Sequence, residues 1–229
     1  MEIKRIPTGI HGFDELCDGG FVKGSINAVS GDIGTAKTLF ALRFLVDGAE
    51  KCREKGIMVT FEEQKEQVCL SASSLGLDLA NLEKSGMIAV LPASPEQIKH
   101  MITEGGGQFE TLAGQMKAQR LAFDSASSFM QLFADIAQAK KAAGDFFRLI
   151  RKLGCTAVLT LESDDPNSRA IAKMADSLTC LYHFRDRGIR KRALEIIKMR
   201  GTEHNPNSLQ FEITKTGISV DPKKFAIIE

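Results

Sequence analysis

No stretch of this chain stays apolar for the roughly 20 residues that a membrane-spanning helix needs. The polar start MEIKRIPTGIHGFDEL also lacks the apolar centre of a secretory signal, so the expectation is a protein that stays in the cytoplasm. Neither sign of charge is in excess: 30 Lys+Arg stand against 29 Asp+Glu, a formal net charge of +1. No global field therefore draws the chain to nucleic acid or to anionic lipid. Five cysteines, at 17, 52, 69, 155 and 180, form no CxxC pair and leave one over, which argues against a zinc site and a disulfide framework. They read as small buried hydrophobes in a reducing compartment. Internal repeats and low-complexity tracts are missing too, which sets aside the solenoid and disordered classes.

What is present is alternation. From Ser25 to Glu162 short apolar runs alternate with longer helical patterns, the signature of βαβ units in a mainly parallel sheet. The pattern predicts strands at 25–30, 56–61, 87–91, 121–123 and 157–161, with helices at 37–50, 65–75, 96–120 and 128–153 between them. Gly105-Gly106-Gly107 is expected to split the third helix in two. After Asp176 the period falls to two and turn residues intervene, which predicts an antiparallel extension on the sheet's edge. The 229 residues suit one α/β domain over 1–229, its central sheet flanked by helices.

The strongest motif runs from Gly31 through Asp32, Ile33, Gly34, Thr35, Ala36 and Lys37 to Thr38, with Leu39 next. It follows a predicted strand and opens a predicted helix, as a phosphate-binding P-loop does. Small residues let main-chain N–H groups turn inward around a phosphate, and the positive end of the helix adds to the attraction. Lys37 would reach the β- and γ-phosphates of ATP, and the Thr38 hydroxyl would be a ligand of Mg²⁺. Ala36 departs from the usual glycine; if its position needs a positive φ, the loop is strained by about 1 kcal/mol.

Three acidic residues end predicted strands. Asp124, after the apolar Leu121-Ala122-Phe123, is where a P-loop protein holds its Mg²⁺. Glu62 and Glu63 end the next strand, where a parallel sheet opens onto its ligand crevice, and alternation sends the two in different directions. One of them can face a water opposite the γ-phosphate. Read alone, the pair is better taken as a charged cap for the helix that follows.

Together with Pro7-Thr-Gly-Ile-His-Gly-Phe-Asp-Glu-Leu16, Gly19-Gly20-Phe-Val-Lys-Gly24-Ser25, Leu159-Thr160-Leu-Glu162, Lys198-Met-Arg200-Gly-Thr202-Glu-His204 and Phe211-Glu-Ile-Thr214, these segments resemble the KaiC domain family, a branch of the RecA-like ATPases. The resemblance implies ATP bound with Mg²⁺ between neighbouring subunits of a homohexamer and output to an unidentified protein partner. It makes Glu62 and Glu63 catalytic, with Glu63 favoured as the base. Lys198 and Arg200 would act across the subunit boundary on the γ-phosphate, with Thr202 and His204 close by. The family's namesake phosphorylates an adjacent Ser-Thr pair; the matching positions here look like Ala172 and Lys173, so autokinase activity is disfavoured. Two other classes are a nucleotide-holding scaffold and a DNA-handling ATPase. The second would use Arg185, Arg187, Arg190, Lys191 and Arg192, a stretch with no aromatic ring to stack on bases, so nucleic acid is not the expected partner. Alternation places the preceding Tyr182 and Phe184 on the buried face of their strand.

Overall fold

Runs rich in Val, Ile, Leu and Ala build the centre of the molecule, because a parallel strand covered on both faces must be apolar on both. The computed structural model describes residues 3–103, 107–133 and 135–228. A two-residue ribbon, β1 (Arg5–Ile6) with β2 (Phe21–Val22), precedes β3 (Ile26–Gly31) and α1 (Lys37–Asp47). Then come β4 (Gly56–Thr60), α2 (Lys65–Ser74), α3 (Leu79–Lys84), β5 (Ile88–Pro92), α4 (Pro95–Thr103), α5 (Gly107–Met116) and β6 (Arg120–Asp124). The chain continues through α6 (Ala126–Met130), α7 (Ile136–Leu153), β7 (Thr156–Glu162), α8 (Ser168–Met174), β8 (Ser177–Asp186), β9 (Ile189–Met199), β10 (Leu209–Thr214) and β11 (Gly217–Phe225).

Among the described residues these strands form a nine-stranded sheet in the order β11-β10-β9-β8-β3-β7-β6-β4-β5. From β8 to β5 all neighbours run parallel, and β9, β10 and β11 add the antiparallel edge. Alternate residues enter two cores. Met58, Ala122 and Val158 pack with α1, while Ile57, Val59, Leu121, Phe123, Ala157 and Leu159 pack on the opposite face with α5, α6 and α7. The expected strands are all present, each shifted by one or two residues at most.

The helices depart further. The predicted helix at 96–120 is α4 and α5; Gly105 and Gly106 lie outside the described residues, and Gly107 opens α5 at φ 44°. The predicted helix at 128–153 is broken after α6, because Asp135 caps a new start, accepting from the Gln138 amide at 2.8 Å. Helix α3 and the β1–β2 ribbon were not expected. Buried positions along β8 are Ser177, Thr179 and Leu181, so Tyr182 and Phe184 fall on the other face and are half-buried, contrary to expectation. Of the cysteines, Cys17 and Cys155 are buried, burial pushing their thiols up to about 12 and about 11, whereas Cys52 is exposed.

Arg120, expected at a helix end, begins β6 with its side chain wholly buried. Its Nε pairs with Glu54 at 2.7 Å, Nη1 donates to the carbonyls of Phe44 (2.6 Å) and Pro7 (2.9 Å), and the guanidinium lies 4.7 Å over the Phe44 ring. Gly48 makes room for it, since a Cβ there would lie 2.3 Å from Arg120 Nε. Removing one member of a buried pair strands the other, so Arg120→Ala is expected to lose about 3–5 kcal/mol in urea unfolding. A loss below about 1 kcal/mol would show that Glu54 and the two carbonyls find water instead.

Candidate active site

The carboxyl ends of β3, β4, β6 and β7 meet at one rim of the sheet, and the loop from β3 to α1 closes over it. That loop turns through Gly34 at φ 79° and Ala36 at φ 76°, ψ 29°, which is left-handed backbone. A Cβ disfavours this region, so Ala36 holds the strain anticipated for it. Gly31 is required for space, because a Cβ there would lie 2.6 Å from both the Leu181 carbonyl and Thr35 Oγ1. Thr35 is buried and its hydroxyl donates to the Asp32 carbonyl at 2.7 Å, bracing the turn.

Inside the loop, Lys37 Nζ donates to the carbonyls of Gly31 (2.7 Å) and Asp32 (3.0 Å) and pairs with Glu162 Oε1 at 3.0 Å. Thr38, one position into α1, donates through Oγ1 to Asp124 Oδ2 at 2.7 Å; Thr160 donates to Asp124 Oδ1. Burial pushes the Asp124 carboxyl up, opposed by the hydroxyls of Thr160 and Thr38. Glu63 is half-buried with Oε2 shielded and without a hydrogen-bond partner, and its carboxyl is pushed up by burial and then by the charges of Asp124 and Glu62. Glu62 is exposed and accepts from Ser128 Oγ at 2.9 Å. Both acids lie beyond the end of β4 and face the same cavity, so strand alternation does not separate them as expected.

These groups line a cavity of about 290 Å³. Ile33, Gly34, Thr35, Ala36, Lys37 and Thr38 reach it, as do Glu62, Glu63 and Asp124; Leu39 is instead buried in the core on α1. The donor set suits Mg²⁺: a hydroxyl and a carboxylate converge, both hard oxygen ligands. Among the described residues no cluster of three or more His, Cys, Asp or Glu is placed to hold a metal ion.

Lys198, Arg200, Thr202 and His204 are not brought to this cavity. Lys198 lies opposite Leu178 and donates to the Lys173 and Ala175 carbonyls at the end of α8 (2.9 and 2.8 Å). Arg200 pairs with Asp176 at 3.5 Å. Asp176 bonds Ile26 at the start of β3, the end away from the loop. Thr202 Oγ1 accepts from Arg5, and His204 Nδ1 lies 3.3 Å from the Asn205 carbonyl. Of the basic run, Lys191 pairs with Asp186 at 2.7 Å, and Arg192 Nε donates to the Gly34 carbonyl at 3.1 Å.

Site roles for Thr60, Thr160, Glu162 and Arg192 were not expected. The first three were within reach of strand parity, since Thr60, Asp124, Thr160 and Glu162 are even-numbered positions on the face that meets α1. Arg192 carried no local signal, because its contact spans 158 positions.

Fold and loop together define the RecA-like P-loop class. A family model described as "ATPase: KaiC" matches residues 6–225, and the chain belongs to that family. It is 33% identical to the circadian clock oscillator protein KaiC of Prochlorococcus marinus, the match covering 97% of this chain and 47% of that protein. The KaiC of Parathermosynechococcus lividus is 34% identical, over 96% of this chain and 43% of its own length. The chain thus spans about half the length of these relatives. A crystal structure of a KaiC-like protein from the archaeon Pyrococcus horikoshii superposes with a TM-score of 0.85 at 30% identity, covering 96% of this chain and all of that one.

Two outcomes follow for the protein without nucleotide. Ala36→Gly relieves about 1–2 kcal/mol of strain and adds unfolded-state entropy, for a net gain near 0.5 kcal/mol in denaturant unfolding. Glu63 holds its proton more tightly folded than unfolded, so its cost to stability is absent below the ordinary titration range and grows as pH rises through the raised value. Glu63→Gln is therefore expected to melt higher than wild type at pH 7, with the gap closing below about pH 4. An unchanged gap across that range would count against the assignment.

Proposed function

We propose that the chain binds Mg·ATP at the loop from β3 to α1 and hydrolyses it. The observation that carries this is the convergence of Lys37, Thr38, Asp124 and the unpartnered Glu63 carboxylate on one cavity. Main-chain N–H groups of residues 34–38 and the Lys37 ammonium bind the phosphates. Thr38 and Asp124 would hold Mg²⁺, which neutralises charge on the β- and γ-phosphates.

Glu63 takes a proton from water as its oxygen bonds to the γ-phosphorus, and the bond to the bridging oxygen breaks to release ADP. A carboxyl pushed up by burial is a stronger base than an exposed one, and it gathers its proton without competing from a strong hydrogen bond of its own. Glu62, tethered by Ser128, adds a negative charge beside Glu63 that raises its carboxyl further.

Lys198 and Arg200 lie at the far end of their own sheet, so their action on the γ-phosphate requires a neighbouring subunit. The family resemblance makes that assembly a homohexameric ring with ATP between subunits, passing its state to a protein partner. The KaiC family membership supports the reading.

Glu63→Gln is expected to lower turnover on the order of a hundredfold or more while ATP still binds. The wild-type kcat should fall on the acid side at a pH above the ordinary glutamate value of 4.5. Phosphate release by the variant at the wild-type rate would remove Glu63 from the reaction. Mixing Arg200→Ala with Glu63→Gln subunits tests the boundary: interfaces pairing an intact Arg200 with an intact Glu63 should regain activity, and no recovery in a mixed ring argues for action within one chain.

A further inference from the structure

An ammonium has three protons, and in Lys37 three acceptors take them: the carbonyls of Gly31 and Asp32 and the Glu162 carboxylate. With every donor position filled, contact with a phosphate oxygen requires that one acceptor leave. Two cannot leave cheaply. The Gly31 carbonyl belongs to β3, in register with Glu162 and Leu181, and the Asp32 carbonyl also accepts from the Thr35 hydroxyl that braces the turn. Glu162 can leave, because its side chain is 30% exposed and moves by rotation about its own bonds. Its main chain stays fixed meanwhile: the Glu162 amide donates to Ser127 Oγ at 2.8 Å, Ser127 is joined to Ser168 at 2.6 Å, and Ser168 donates to Asp165 at 2.7 Å.

Charge leads to the same residue. The Lys37 side chain is 9% exposed, and a cation so enclosed needs a counter-charge. A triphosphate brings its own negative charge to that ammonium, and a carboxylate left beside it would repel the incoming anion.

We propose that Glu162 is an exchangeable counter-ion, which neutralises Lys37 while the loop is empty and is displaced from it by the phosphates of the nucleotide. This rests on the ATP reading and adds to it the step that sets affinity. Glu162 is a positioning residue, acting through Lys37 rather than on the reacting atoms.

Glu162→Gln keeps the shape and removes the charge, and two opposite movements are expected. The Tm without nucleotide falls, because Lys37 loses its partner, while the Kd for ATP and for ADP, measured by calorimetry, tightens by roughly three- to tenfold. The Kd for AMP, which lacks the phosphates that Lys37 reaches, stays as in wild type. A residue that merely holds the fold lowers Tm and weakens ATP binding or leaves it unchanged, and that pairing overturns the proposal. Asp164→Asn removes an equal charge two residues further along the chain, from an exposed side chain that does not line the cavity. It is expected to shift the ATP Kd by less than roughly twofold; a gain matching that of Glu162→Gln would reduce the effect to general charge and defeat the exchange.

A crystal structure of wild-type protein with ADP or an ATP analogue gives a readout free of variants. Separation of Lys37 Nζ from the Glu162 carboxylate beyond about 4 Å agrees with the exchange, and a pair still at 3.0 Å beside bound phosphate refutes it. Failure of the ATP reading looks different: wild type then binds neither ATP nor ADP, whatever stands at 162.

Discussion

A strand covered on both faces must send alternate residues to opposite sides, and the rest of the molecule is arranged around that constraint. On β4, β6 and β7 the odd positions fill the core against α5, α6 and α7, leaving the even ones to meet α1. Where the strands run out of apolar partners at the rim, the even positions become Thr60, Asp124, Thr160 and Glu162. Polar groups from three strands therefore arrive on the side where Lys37 and Thr38 begin their helix. At the other end of the same face the parity delivers Arg120, which can be buried because Glu54 and two carbonyls complete it. One geometric rule supplies both the polar cluster at the rim and the ion pair that anchors the opposite end.

Much of this was legible in the sequence because it is local. A strand, a glycine-rich turn and a helix with Lys37-Thr38 at its start are contiguous, so the phosphate loop could be read without knowing the sheet order. The strain at Ala36 was likewise foreseeable, since a position that takes glycine elsewhere forecasts a positive φ. Parallel strands were readable from their all-apolar runs, and the edge from its period of two. The helices were less legible, since their ends depend on caps such as Asp135 rather than on hydrophobic spacing. Arg120 was misplaced for a related reason: a charged residue before an apolar run looks like a helix's solvated end, and its partner lies 66 positions away.

Two groups of residues mark the limit of reading by pattern. Lys198 and Arg200 were singled out by family likeness, and within one chain they stand apart from the cavity, held by the end of α8 and by Asp176. Glu162 belonged to a quoted segment but had no role there, because its contact with Lys37 depends on the neighbouring order of β3 and β7. Spacing along a chain says little about which strands will be adjacent, and adjacency is what places a side chain across a cavity.

The antiparallel edge is more than trim on the sheet. Arg192, in β9, fastens the Gly34 carbonyl at the tip of the phosphate loop, so the loop is clamped by the antiparallel strand that pairs with β8. A displacement of that hairpin would therefore reach the loop by two routes, through the Arg192 guanidinium and through β8, which runs beside β3 up to Gly31.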